Sequence, residues 1–322
     1  MRAVVAAKGP VLDRVLHLTS RRAQDDLLPP AYARLHAAQM KTSWGRLRQR
    51  SFVLVEGEDI LASAEQYTLA AVLDGRAIDV CAIGSLCSDY SRRDLGYARL
   101  LVETLLGAAA RAGAEMALLF AEDGADEDVA NDFDRIGLTD LTLGVAQSER
   151  HGAPMTTVRG GEERDLAAIV AMGRGRAEPF RFHLDRDLDF IRYAITTTRL
   201  RAGLGPANTR QLHFFIAEEG ITAAAYVILS VIGNRWILEE CGDRDPSGAR
   251  VGALLQALIA REPAERRPTI HAWLPAGFLP PQVTVVAAIP SARCIRVRML
   301  GSNARVPPLS SRDILFWRND AL

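Results

Sequence analysis

Two rhythms of apolar residues organise the first half of the chain. Val11-Leu12 with Val15-Leu16, and then Tyr32 to Met40, recur at helical spacing on either side of a break at Pro29-Pro30. Phe52-Val53-Leu54-Val55 and Ile60 to Leu69 read as two strands joined by a turn at Glu56 to Asp59. A second turn around Asp74-Gly75 leads into a strand from Ile78 to Cys87. Beyond a charged stretch the rhythm becomes helical, with Tyr97, Leu100, Leu101, Thr104, Leu105 and Ala108 on one face. Gly113 is a stop signal, and Met116 to Ala121 reads as a buried strand. The expected order is helices, hairpin, then strand–helix–strand.

That order returns after His151-Gly152-Ala153-Pro154, the best boundary in the chain. Glu162 to Met172 and Asp185 to Leu200 read as helices. Phe214 to Ala217 and Ala223 to Val231 form a hairpin pattern around Glu218-Glu219-Gly220. Trp236 to Cys241 is a strand, Asp243 to Gly248 a turn, and Val251, Leu254, Leu255, Leu258 and Ile259 mark an amphipathic helix. Thr269 to Leu274 is the next candidate strand. Two α/β lobes follow, residues 1–150 and 151–322, each expected to have a mixed, mostly antiparallel sheet flanked by helices. An unrelated α/β cap domain in the second half stays open.

Composition narrows the function. The 322 residues exceed one usual domain, and 48% hydrophobic content suffices for two cores. Lys+Arg and Asp+Glu balance at 39 each, so no basic excess points to nucleic acid or an anionic membrane. Four cysteines and six histidines show no metal-type spacing, which argues against a metal site and a disulfide framework. The start lacks a signal-peptide core, and no stretch of about twenty apolar residues occurs. A cytoplasmic protein without a membrane span is expected. A homo-oligomer is left open.

The candidate chemistry lies at Arg93-Asp94-Leu95-Gly96-Tyr97-Ala98, where the strand hands over to the helix. A glycine there lets backbone approach a ligand. Free N–H groups of the first helical turn, together with the helix dipole, favour an anion. This stretch resembles the acyl-CoA motif of the GNAT superfamily of acetyl-CoA-dependent N-acetyltransferases, Gln/Arg-x-x-Gly-x-Gly/Ala, and Phe133 to Leu138 is similar to their later Tyr-x-x-x-Gly-Phe. The resemblance implies tandem GNAT-like lobes, acetyl-CoA as cosubstrate with no metal, and direct attack of an amine on the thioester. It places the pyrophosphate on Arg93, Asp94, Leu95, Gly96, Tyr97, Ala98 and Arg99. It places a carbonyl-polarising backbone N–H in Leu86-Cys87-Ser88.

One departure matters: Phe133 stands where the family's acid tyrosine falls, and Phe has no proton to give. Three readings stay open: another phenol serves (Tyr67, Tyr90 or Tyr97), no acid is needed, or the lobe is catalytically weak. Glu65 is the base candidate, and strand alternation puts Glu65 and Tyr67 on one face. The acids Glu122, Asp123, Asp126, Glu127, Asp128, Asp132 and Asp134 suggest a cationic amine acceptor, a small molecule or a peptide. In the second half, Glu239 to Asp245 is acidic where a phosphate cradle wants positive potential, which makes that lobe the poorer one for CoA. A non-catalytic acyl-CoA-binding protein, or catalysis by the second lobe, are the alternatives.

Overall fold

In the computed structural model, residues 1–20, 27–88, 95–122, 127–146, 156–206, 209–301 and 308–321 are described. The first elements are β1 (Arg2–Ala6), α1 (Pro10–Ser20), α2 (Pro29–Gln39), α3 (Ser43–Arg48), β2 (Gln49–Glu56), β3 (Asp59–Leu73), β4 (Arg76–Ser88) and α4 (Tyr97–Arg111). They continue with β5 (Met116–Glu122), α5 (Glu127–Ala130), β6 (Asp134–Val145), β7 (Thr156–Gly160), α6 (Leu166–Ala177), β8 (Phe182–Leu184), α7 (Leu188–Leu204), β9 (Gln211–Glu219) and β10 (Thr222–Ile232). Then come β11 (Arg235–Asp243), α8 (Ala249–Ile259), β12 (Thr269–Ala272), β13 (Val283–Met299) and β14 (Ile314–Leu315).

The chain forms two compact units. One comprises residues 1–138 with 292–311, the other 139–291 with 312–321. The division therefore falls inside β6 and β13, not at the expected 150/151 boundary. The reason is the return of the chain: the last seven residues of β13 pair antiparallel with β5, from Arg293↔Glu122 to Met299↔Met116. The linker at His151 to Pro154 lies outside the described residues.

In the first unit the strand order is β1-β2-β3-β4-β5-β13. β1 to β4 pair antiparallel, and β4 with β5 is parallel, with α4 as the crossover. Asp74 and Gly75 both have positive φ, 49° and 77°, which matches the type I′ turn that a twisted two-residue hairpin favours. Helix α4 buries Tyr97, Ala98, Leu101, Val102, Leu105 and Leu106 against Leu54, Ala62, Ala64, Ile83 and Leu119. Its last turn closes with the Ala112 N–H on the carbonyls of Ala108 and Ala109, and Gly113 at φ 106° turns the chain away. A second cluster packs Val15 of α1 on Val53.

The second unit repeats this order of elements. Its strands run β6-β12-β11-β10-β9-β7, antiparallel except for the parallel β11–β12 pair, with α8 as the crossover. Val251, Leu254, Leu255 and Leu258 of α8 are buried on Ala225, Val227, Leu229 and Ile270. Each unit is thus a mixed, mostly antiparallel sheet flanked by helices.

Candidate functional site

In the first unit the register between β3 and β4 slips. Ser63 faces Cys87 but Glu65 faces Gly84, so Ser85 and Leu86 together oppose Ala64. This is a β-bulge, and Ser85 takes up its strain at φ 49°. The parallel β4–β5 ladder spans only Val80–Ile83 with Met116–Leu119, although β4 runs on to Ser88. Five residues of β4 thus extend past the shared ladder, and the bulge sits among them.

Gly96 follows, in the left-handed conformation at φ 68° and ψ 21°, as the residue preceding α4. A Cβ added there would meet no heavy atom within 4 Å among the described residues. The first intrahelical bond runs from the Leu100 N–H to the Gly96 carbonyl. The N–H groups of Tyr97, Ala98 and Arg99 therefore have no partner in the helix, Gly96 offers no side-chain cap, and among the described residues no side chain accepts from them.

The expected site residues fall as follows. Cys87 and Ser88 are buried at the end of β4, with Leu86 half-buried in the bulge. Arg93 and Asp94 lie outside the described residues, as does Tyr90. Leu95 is exposed, and Ala98 is buried under α4. The Arg99 side chain is engaged elsewhere, 2.6 Å from an oxygen of Asp132. Tyr97 opens α4, where its phenol oxygen accepts from Arg2 at 3.3 Å and the guanidinium lies 4.9 Å from the ring centroid. Phe133 is a core residue, with Arg298 over its ring at 5.2 Å.

Glu65 and Tyr67 meet, as alternation predicts: the Tyr67 hydroxyl donates to Glu65 Oε2, and both side chains are buried. The structure adds a member that the sequence did not single out. His36 of α2 is buried with Nε2 3.7 Å from Glu65 Oε1 and 3.3 Å from the Ser51 hydroxyl. Trp44 stacks on Tyr67 at 6.3 Å between centroids. His36 stands alone in its helical segment, so only the packing of α2 on β2 and β3 could have revealed it. Glu65 pairs with Gly84, directly beside the bulge.

The second unit builds the same scaffold and fills it. β11 carries an extra residue, Glu239, between the pairs Ile228↔Glu240 and Leu229↔Leu238. Gly248 precedes α8 at φ 73° and ψ 18°, close to the values at Gly96. Here, however, the first-turn N–H groups are all met. Those of Arg250 and Val251 donate to Asp243 Oδ2 at 2.8 and 3.2 Å, and that of Ala249 donates to the Ser247 hydroxyl at 3.3 Å. A Cβ on Gly248 would lie 2.6 Å from the Phe278 ring. The Phe278 to Gln282 segment is therefore packed in, with Phe278 edge-on to Trp317 at 6.5 Å.

A buried charge cluster anchors the C-terminal turn to this unit. Arg186 donates to both oxygens of Glu240, at 2.9 and 2.5 Å, and Tyr226 donates to Glu240 at 2.5 Å. Arg186 Nε lies 3.0 Å from Asp320 Oδ1 without hydrogen-bond alignment, so that contact is Coulombic. Burial pushes the Asp320 carboxyl up to about 6 against the pull of Arg186.

Of the acidic run, Asp123 and Asp126 lie outside the described residues. Asp132 is paired with Arg99, and Asp134 is exposed. Among the described residues no group of three His, Cys, Asp or Glu gathers as a metal site, and no helix is long and apolar enough to cross a membrane.

No family model matches the chain, and no curated protein matches its sequence significantly. Solved structures do match its fold. A GCN5-related N-acetyltransferase from Kribbella flavida has a TM-score of 0.67 at 17% identity, over 93% of this chain and 71% of its own. One from Anabaena variabilis has a TM-score of 0.67 at 9% identity, over 94% and 73%. The N-myristoyltransferase of Saccharomyces cerevisiae with bound myristoyl-CoA has a TM-score of 0.56 at 9% identity, over 96% and 84%. At these identities the likeness is one of fold.

Proposed function

We propose that this chain, whose fold is that of the GNAT acyltransferases, is an acetyl-CoA-dependent N-acetyltransferase whose first unit holds the cofactor. The observation that carries this is the contrast between two helix N-termini built alike. At α8 a carboxylate and a hydroxyl take the first-turn N–H groups, and an aromatic ring covers the glycine. At α4 no side chain among the described residues takes the corresponding groups, and the glycine faces open space among the same residues. An anion fits the second arrangement.

When bound, acetyl-CoA supplies the thioester that a neutral amine attacks, with the CoA thiolate leaving. In this reading the N–H groups of Tyr97, Ala98 and Arg99 hold the pyrophosphate, and Gly96 lets it come close. The backbone at Ser85-Leu86 polarises the acyl carbonyl from the bulge. Glu65, oriented by Tyr67 and His36, removes the proton from the acceptor ammonium. Tyr67 and Tyr97 are the candidate acids. A cationic acceptor is supported by the acidic positions from Glu122 to Asp134. The buried Phe133, in place of a phenol, favours one second reading, an acyl-CoA binder without turnover.

The test is thiol release from acetyl-CoA across a panel of primary amines, run beside CoA calorimetry. The expected result is CoA binding with amine-dependent turnover, which Glu65→Gln lowers by about a hundredfold or more while CoA affinity stays. CoA binding with no turnover supports the second reading. Absence of CoA binding removes both.

A further inference from the structure

The second unit contains a cavity of about 670 Å³ between α6 and the turn that follows β11. Its volume lies within the range of small-molecule pockets. Ala168, Ala171, Met172 and Gly175 of α6 form one wall, and Pro179 and Pro246 close the sides. These are apolar or small groups, and they leave room for a hydrocarbon body. A Cβ on Gly175 would meet nothing within 4 Å.

Four charged groups line the cavity: the guanidinium groups of Arg176 and Arg244 and the carboxylates of Glu178 and Asp243, the last engaged by the N–H groups of Arg250 and Val251. Arg176 is half-buried and lies over the Phe278 ring, 4.0 Å from its centroid. Among the described residues its guanidinium has no hydrogen-bond acceptor and no ion pair. A desolvated guanidinium with unused donors is costly unless something accepts from it. Burial lowers its pKa, which records the same cost. Arg244, exposed at the rim, adds a second positive charge.

We propose that this cavity binds a small organic monocarboxylate: the carboxylate on Arg176 and the apolar body along the small-residue wall of α6. The planar guanidinium can give two parallel N–H bonds to a carboxylate. A phosphate is disfavoured here. The backbone N–H groups that would cradle it are spent on Asp243 and Ser247, and the Asp243 and Asp245 carboxylates stand close enough to act on Arg176. A dianion would meet that repulsion more strongly than a monoanion. The site is separate from the cofactor cradle proposed for the first unit and does not depend on it.

The experiment titrates hexanoate into the full-length protein by ligand-observed NMR, with hexan-1-ol and inorganic phosphate as parallel probes. Two variants are compared: Arg176→Met, which keeps the stem over Phe278, and Gly175→Leu, which fills the cavity from a helix that accepts Leu readily. The expected result is saturable hexanoate binding below about 10 mM, weakened about tenfold or more in each variant, with hexan-1-ol binding weaker than hexanoate. CoA affinity should be the same in all three proteins, so a failure here is distinct from a failure of the cofactor assignment. Three results overturn the proposal: no hexanoate binding to the native protein at about 10 mM, equal binding in both folded variants, or inorganic phosphate outcompeting hexanoate.

Discussion

Gly96 and Gly248 share a backbone conformation but not a neighbourhood, and replacing each by Ala separates the two effects. At both positions a Cβ in the left-handed region costs about 1–2 kcal/mol. At Gly96 nothing more is charged, since no described heavy atom lies within 4 Å of the new Cβ. At Gly248 the Cβ lands 2.6 Å from one Phe278 ring carbon and 2.9 Å from the next. The ring is wedged between Trp317 and Arg176, so it has little freedom to retreat. Overpacking of that kind adds about 1–3 kcal/mol. For units of this size each kcal/mol moves the midpoint by about 2–4 °C. Gly96→Ala should therefore lower the first unit's transition by about 2–8 °C, and Gly248→Ala the second's by about twice that. Scanning calorimetry reads both. Calorimetric titration should then show CoA weakened about tenfold by Gly96→Ala, whose methyl enters the cradle, and unchanged by Gly248→Ala. Equal midpoint losses would refute the packing argument, and CoA loss in Gly248→Ala alone would refute the choice of unit.

Other outcomes are expected. Asp320 is raised to about 6 in the folded chain, so the fold holds its proton more tightly than the unfolded chain does. Stability from this group is complete below about pH 4 and is lost as pH rises through about 6. The second unit's midpoint should therefore rise on acidification from about pH 7 to 5, and Asp320→Asn should flatten that dependence. Asp243→Ala orphans the N–H groups of Asp245, Arg250 and Val251. It should cost about 2–4 kcal/mol by thermal unfolding without creating a CoA site. Arg99→Ala should change CoA affinity less than about threefold by titration, because that side chain already pairs with Asp132. Once an amine acceptor is found, raising salt should raise its KM with little change in kcat, through screening of the acidic run.

The alternating and helical rhythms of β2, β3, β4, α4, β9, β10, β11 and α8 were legible because each buries one face or one stripe on a core. Gly96 and Gly248 were legible as junction glycines for the same reason. What the sequence hid is long-range. β1 is an exposed edge strand whose pattern carries no burial signal. Residues 284–290 of β13 are exposed, and its end completes the first unit's sheet by pairing with β5, a long-range partner that the local pattern does not name. The pairing of Glu65 with Tyr67 followed from period-two alternation, whereas His36 joined them only through helix packing. The acidity of Glu239 to Asp245 pointed toward a poor phosphate site. The specific cause, Asp243 folded back onto the N–H groups of α8, needed coordinates.

The central claim is that CoA binds the first unit at the N-terminus of α4. Amide hydrogen exchange of the full-length protein, with and without CoA, tests it at residue level. CoA should slow exchange at Tyr97, Ala98 and Arg99, whose N–H groups meet no capping side chain among the described residues, and leave Ala249, Arg250 and Val251 unchanged. Protection at the start of α8 with none at the start of α4 would contradict the account.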